Sequence, residues 1–145
     1  MKTVIKTTDG IQIMALVEGV DLAEALRKWG EVHPGKYVSH RDMQDSVIPT
    51  DREFRNAWED VTPQPVIDFN MTKARLIHLG RIRVKRDAAL AVLDVEMVKA
   101  LGSGNTALRD SVEVQKRVLR DLPQTIAVRL AAANTIQALK AIQPL

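Results

Sequence analysis

The sequence predicts an α+β fold: a small N-terminal α+β unit followed by a C-terminal antiparallel helical hairpin. Three observations predict it. Two β-branched runs flank Asp9-Gly10, residues 71–101 hold no proline and only Gly80, and the break "GSGN" at 102–105 separates two amphipathic stretches. Apolar runs around a turn dipeptide form a hairpin, and apolar residues three and four apart form a helix. A short break between two such helices turns them back on one another. The expected organisation is 1–62 as the small domain, 63–70 as a Pro-containing linker, and 71–145 as the hairpin with a short last helix.

The first unit is read in chain order. Asp9-Gly10 in "TVIKTTDGIQIMAL" supplies the positive φ angles of a tight turn. In "DLAEALRKWG", Asp21 is the N-cap and Gly30 the stop, with Leu22, Ala25, Leu26 and Trp29 on one face. "HPG" is a turn and "KYVSH" a third short strand. In "PTDREFRNAWE", Thr50 and Glu53 have the spacing of a capping box, and Phe54, Ala57 and Trp58 follow on one helical face. A short helix anchored by its two aromatics is expected there. Burial is the reading that spacing favours for Phe54 and Trp58; a surface anchor for a partner is the alternative. Pro63 and Pro65 forbid helix in "VTPQPV", and "VIDF" is a brief strand or an extended segment.

In the second unit, Leu79, Ile82, Leu90, Leu93, Met97 and Leu101 form the first helix's apolar stripe, interrupted by Arg86. Lys73, Arg75, Arg83, Lys85 and Lys99 take the other faces, and Gly80 marks a kink or close packing. Gly102 is placed as the residue after the helix end, and Asn105 or Thr106 as the cap of the next. That helix is expected to run to about Leu122, with Leu108, Val112, Gln115, Leu119 and Leu122 inward and Pro123 ending it. A last segment carries Ile136, Leu139 and Ile142 on one side.

Composition narrows the function classes. Of 145 residues, 46% are hydrophobic, 27% charged and 3% aromatic, so the core rests on aliphatic side chains. A net charge of +3 permits weak attraction to nucleic acid without arguing for it. No cysteine is present, which removes disulfides, thiolate nucleophiles and Cys-ligated zinc. The opening "MKTVIKTTDG" lacks a signal-peptide run and no window approaches a membrane span, so a cytoplasmic chain without membrane contact is expected.

Catalytic signals are weak. His33, His40 and His78 lie on different elements without metal-ligand spacing, and no carboxylate pair stands out. Arg83 and Asp87 are an i,i+4 ion pair, and "GSGN" lacks the lysine and preceding strand of a phosphate loop. No enzyme, metal or cofactor is expected. "KARLIHLGRIRVKRD" carries seven Lys, Arg or His residues. A solvated basic face is its simplest meaning, an acidic protein surface the second and nucleic acid the third, since no aromatics interleave. Met14, Met43, Met71 and Met97 would give adaptable contacts if exposed, although methionines in helix stripes are usually core.

One resemblance covers roughly the last two-thirds of the chain. "IPTDREFRNAWE", "IDFNMTKARLIHLGRIRVKRDAALAVLDVEMVKAL", "QKRVLRDLP" and "ALKAIQP" resemble small proteins encoded beside bacteriophage tail genes, the tail-assembly or tail-fibre assembly chaperones. The similar positions are Asp51, Arg52, Phe54, Arg55, Ala57 and Trp58, then Arg83, Arg86, Leu93 and Asp94, then Leu119, Arg120, Asp121 and Pro123. The chain ends "AIQPL", without the tryptophan-proline pair that many of those proteins carry. The resemblance implies a non-enzymatic binder that helps a tail-fibre protein fold or trimerise in the host cytoplasm, staying with the virion tail in some cases. Phe54, Arg55, Trp58, Arg83, Arg86 and Arg120 are the partner contacts it points to. The partner is a tail-fibre or other tail protein, and self-association is left open. A minor tail or baseplate protein of the virion is the first alternative, and a small nucleic-acid-binding protein the second.

Overall fold

The computed structural model describes residues 1–143, so Pro144 of the "ALKAIQP" resemblance and the final residue of the last predicted segment lie outside the described residues. The fold of the described residues is α+β, with two small antiparallel sheets and four helices, two of them long, consecutive and paired. It divides into two compact units, Met1–Ala74 and Arg75–Leu145.

The first unit holds five strands and one helix. β1 (Lys2–Thr7) pairs antiparallel with β2 (Gly10–Met14) on one side and β3 (Tyr37–Met43) on the other. Val4 and Ile5 of β1 are both fully buried, although neighbouring strand residues point to opposite faces, so both faces of this central strand are covered. The β1–β2 turn falls one residue earlier than the sequence suggested. Thr8 and Asp9 form the loop and Thr7 pairs with Gly10, the Thr7 hydroxyl oxygen accepting from the Asp9 and Gly10 amides at 3.3 and 3.1 Å. Only Gly10 there has positive φ, at 153°. The threonine supplies the local hydrogen bonds that an Asp-Gly turn would otherwise need.

α1 (Leu22–Val32) starts where predicted: the Asp21 carboxylate accepts from the Glu24 amide at 3.0 Å. The face holding Leu22, Ala25, Leu26 and Trp29 is half-buried. The helix runs past Gly30 and stops before Pro34-Gly35, where Gly35 takes φ 70°. A glycine lowers helix propensity by only about 1 kcal/mol, and the helix continues two residues past it.

The predicted capped helix at 50–58 does not form. The Asp51 carboxylate accepts from the Glu53 amide at 3.0 Å, an Asx turn that competes with the capping box. A single 3₁₀ turn follows at Arg55–Ala57. Trp58 then opens β4 (Trp58–Asp60), which pairs antiparallel with β5 (Ile67–Phe69). The 63–70 stretch, expected as a linker, therefore carries a paired strand inside the first unit. Trp58, Val4, Met43, Ile48 and Ile67 form the core that joins the two sheets, with Ile11, Ile13, Val47 and Phe69 packed around it.

Arg41 adds a polar clamp between the sheets. From β3 it ion-pairs with Asp60 through two guanidinium nitrogens and donates to the carbonyls of Pro63 and Gln64 at 3.3 and 2.6 Å. The Asp60 side chain is 4% exposed and that of Arg41 25%. A charge pair this sheltered holds only because nearly every donor finds an acceptor.

α2 (Met71–Gly102) is continuous through Gly80. Asn70 begins it, its side-chain oxygen accepting from the Lys73 amide at 2.9 Å while its amide donates to Glu59 at 2.6 Å. In the second unit, Ile82 is buried and Leu79, Leu90, Leu93 and Met97 half-buried, as the stripe predicted; Ala100, outside that stripe, is buried too. Leu101 is the exception at 60% exposed. Gly102 lies within the helix, and the reversal uses Gly104 at φ 64°. The Asn105 side chain accepts from the Leu108 amide at 3.0 Å and caps α3 (Thr106–Ala132).

α3 does not end at Pro123. It continues with Ile126 and Leu130 buried beyond the proline. An interior proline costs about 3 kcal/mol, while each fully buried aliphatic side chain contributes about 1.5–3 kcal/mol. The stripe Val112, Leu119, Leu122, Ile126, Leu130 spans the proline, so burial wins. Leu108 and Gln115, expected inward, are exposed. α4 (Ile136–Lys140) is capped by Thr135 and buries Ile136 and Leu139, with Ile142 just after it. Arg75 of α2 donates to the Ala133 carbonyl at 3.0 Å, satisfying the end of α3, and His78 Nε2 lies 2.9 Å from the Ile142 carbonyl.

Candidate partner interface

Two surfaces stand out, one on each unit. In the first unit a cleft of about 490 Å³ is walled by β2 on one side and by residues from Arg52 to Trp58 on the other. Four consecutive β2 residues, Gly10 to Ile13, line it. Since alternate strand residues face opposite ways, a run of four lines a cleft only along the strand's edge. β2 is an outer strand of its sheet.

The cleft is cationic. Lys36, Arg52 and Arg55 line it, with His33 and the single carboxylate Asp9. Asp9 is already engaged, accepting from Lys36 at 2.6 Å. That hydrogen bond, and then the Lys36 charge, hold the Asp9 carboxyl below its ordinary value of 3.8. Arg52 and Arg55 are exposed and their side chains meet no carboxylate among the described residues. The Asn56 and Gln12 amides add neutral donors and acceptors, although Gln12 already accepts from Trp29 at 2.9 Å.

The helical unit presents an apolar outer face. On α2, Val84, Ala88, Ala91, Val95 and Val98 are all exposed. Their spacing of four, three, four and three keeps them on one side, away from Ile82, Leu93 and Ala100. Val84 and Val98 are 70% and 69% exposed. α3 adds exposed Val114, Val118 and Val128. Apolar residues on both sides of α2 explain why reading one stripe from sequence missed this face. The 3-4 spacing of the valines and alanines was the signal that could have found it.

The six partner contacts suggested by resemblance are not gathered in one place. Phe54 and Trp58 are buried, at 1% and 4% exposed, and fill the interior. Arg55 is exposed in the cleft. Arg83 is exposed on α2, whereas Arg86 is mostly covered and pairs with Asp87 at 2.7 Å. Asp87 thus takes Arg86 as its partner instead of Arg83. Arg120 pairs with Glu113 at 2.8 Å on α3.

The basic stretch is largely engaged as well. Lys73 donates to the Asp9 carbonyl at 2.8 Å, Arg75 caps α3 and His78 is buried. His33 stacks on Trp29 and His40 meets the Tyr37 hydroxyl at 2.7 Å, so the three histidines remain on separate elements. Met43 is buried and Met14, Met71 and Met97 half-buried. Among the described residues no group of three or more His, Asp or Glu side chains is placed to hold a metal ion, and no helix is long and apolar enough to cross a membrane.

No protein-family model, curated protein or solved structure matches the chain.

Proposed function

We propose that the chain is an assembly chaperone for a bacteriophage tail-fibre protein. It binds exposed apolar surface on that protein and releases it, or stays attached, once the fibre trimerises. The outward valine face of α2, with a second exposed valine row on α3, is the observation that carries this reading. The inner stripes of α2 and α3 already fill the core of the unit, so core packing does not account for Val84, Val95, Val98, Val114 and Val118. A row of exposed apolar side chains along one side of a helix is a surface suited to meeting another protein. Subunits of a trimeric fibre expose such surfaces, and unpaired strand edges, before they assemble. The resemblance of residues around Arg52–Trp58, Arg83–Asp94 and Leu119–Pro123 to tail-assembly proteins is what suggests a tail protein as the client.

Nucleic-acid binding is less well supported, because Lys73, Arg75 and Arg86 of the basic stretch hold contacts within the chain. The test is affinity capture of the tagged chain from a phage-producing lysate. Recovery of a tail-fibre protein that is insoluble when expressed alone supports the proposal. Recovery of nucleic acid, or of no tail component, rejects it. Retention in purified particles at fixed copy number would make the chain a structural tail protein instead.

A further inference from the structure

We propose that the cleft beside β2 binds an extended acidic peptide, which adds as a strand along the free edge of β2. The proposal concerns the first unit alone and does not depend on the client of the valine face.

Three observations carry it. The first is the strand edge. β2 pairs with β1 on one side only, and the alternate residues Ile11 and Ile13, whose backbone groups point away from β1, make no backbone hydrogen bonds to any described residue. An open strand edge offers main-chain donors and acceptors at the spacing of a polypeptide backbone. That pattern selects a peptide over a nucleic acid or a free anion. The four residues span about 13 Å at roughly 3.3 Å each, room for about four residues of a partner strand.

The second observation is charge. Arg52 and Arg55 stand on the wall facing β2, exposed and without carboxylate partners among the described residues. A guanidinium binds a carboxylate through two parallel hydrogen bonds, which gives direction as well as attraction. Side chains alternate along a strand, so a peptide with carboxylates at every second residue presents them all to one wall. Lys36 and Asp9 neutralise one another at one end, leaving the two arginines as the net charge of the cleft. The third observation is the lack of an exposed stacking platform. Trp58 is buried and one face of His33 is covered by Trp29, so the cleft offers bases little ring surface to stack on.

The experiment uses the intact chain labelled with ¹⁵N and an eight-residue peptide alternating Glu and Val. Its Lys-for-Glu counterpart and a single-stranded oligothymidine are titrated in parallel. The proposal predicts that the Glu peptide binds, that the amides of Gly10 to Ile13 shift most, and that binding weakens with added salt. Arg52→Ala with Arg55→Ala should weaken it by about tenfold or more while leaving the spectrum folded. Arg52→Glu with Arg55→Glu should transfer preference to the Lys peptide, a gain that misfolding cannot mimic. No binding of the Glu peptide at millimolar concentration overturns the proposal. So does equal binding of the Lys peptide, tighter binding of the oligothymidine, or shifts confined to other residues.

Discussion

Trp58 shows how one side chain sets the local structure. It belongs to the core joining two sheets, and its indole Nε1 is buried without a hydrogen-bond partner among the described residues. Trp58→Ala should destabilise the chain by about 3–5 kcal/mol, the range for an emptied aromatic site. Trp58→Phe should cost far less, because it keeps most of the apolar volume and removes an unsatisfied donor. Denaturant unfolding of both variants checks the contrast; equal losses would mean that the Nε1 group matters more than the packing. Arg41 is the polar counterpart. Its removal strands the sheltered Asp60 carboxylate, so Arg41→Ala should cost about 3–5 kcal/mol. The double variant Arg41→Ala/Asp60→Ala should lose less than the two single losses combined. Strict additivity in that cycle would show that the pair is not coupled.

At the scale of elements, signals carried by neighbouring residues were legible. Asp21 and Asn105 cap their helices as side-chain acceptors, and the stripe Ile136, Leu139, Ile142 is buried. Signals that depend on distant pairing were not. Residues 50–58 hold a capping-box pattern, but Trp58 finds Phe69 across a strand pair, eleven residues away and past two prolines. Pro123 misled for the same reason, since the burial that carries α3 through it comes from tertiary packing. Of the candidate site, the arginines were legible as residue types, whereas the cleft needs β2 and the Arg52–Trp58 segment brought together by the fold. Two substitutions test the helices. Gly80→Ala, where an added methyl meets no atom within 4 Å, should stabilise by about 0.5–1 kcal/mol. Pro123→Ala restores a donor toward the Leu119 carbonyl and should stabilise by about 1–3 kcal/mol. Thermal unfolding reads both, and destabilisation by Pro123→Ala would mean that α3 is packed around a bend the proline creates.

For the whole molecule, the two units divide the work of recognition as proposed. One unit offers a strand edge with two free arginines, and the other an apolar helical face. The central claim is that this outer face holds client surface, and one measurement tests it most directly. A tail-fibre protein that is insoluble alone is co-expressed with the chain, or with its Val84→Asp/Val95→Asp/Val98→Asp variant, and the soluble fibre protein is quantified. All three valines are exposed, so the variant should unfold within a few degrees of the parent, about what exposed surface substitutions cost. The account predicts soluble fibre protein with the parent chain and its loss with the variant. Equal solubilisation by both chains, or none by either, would contradict it.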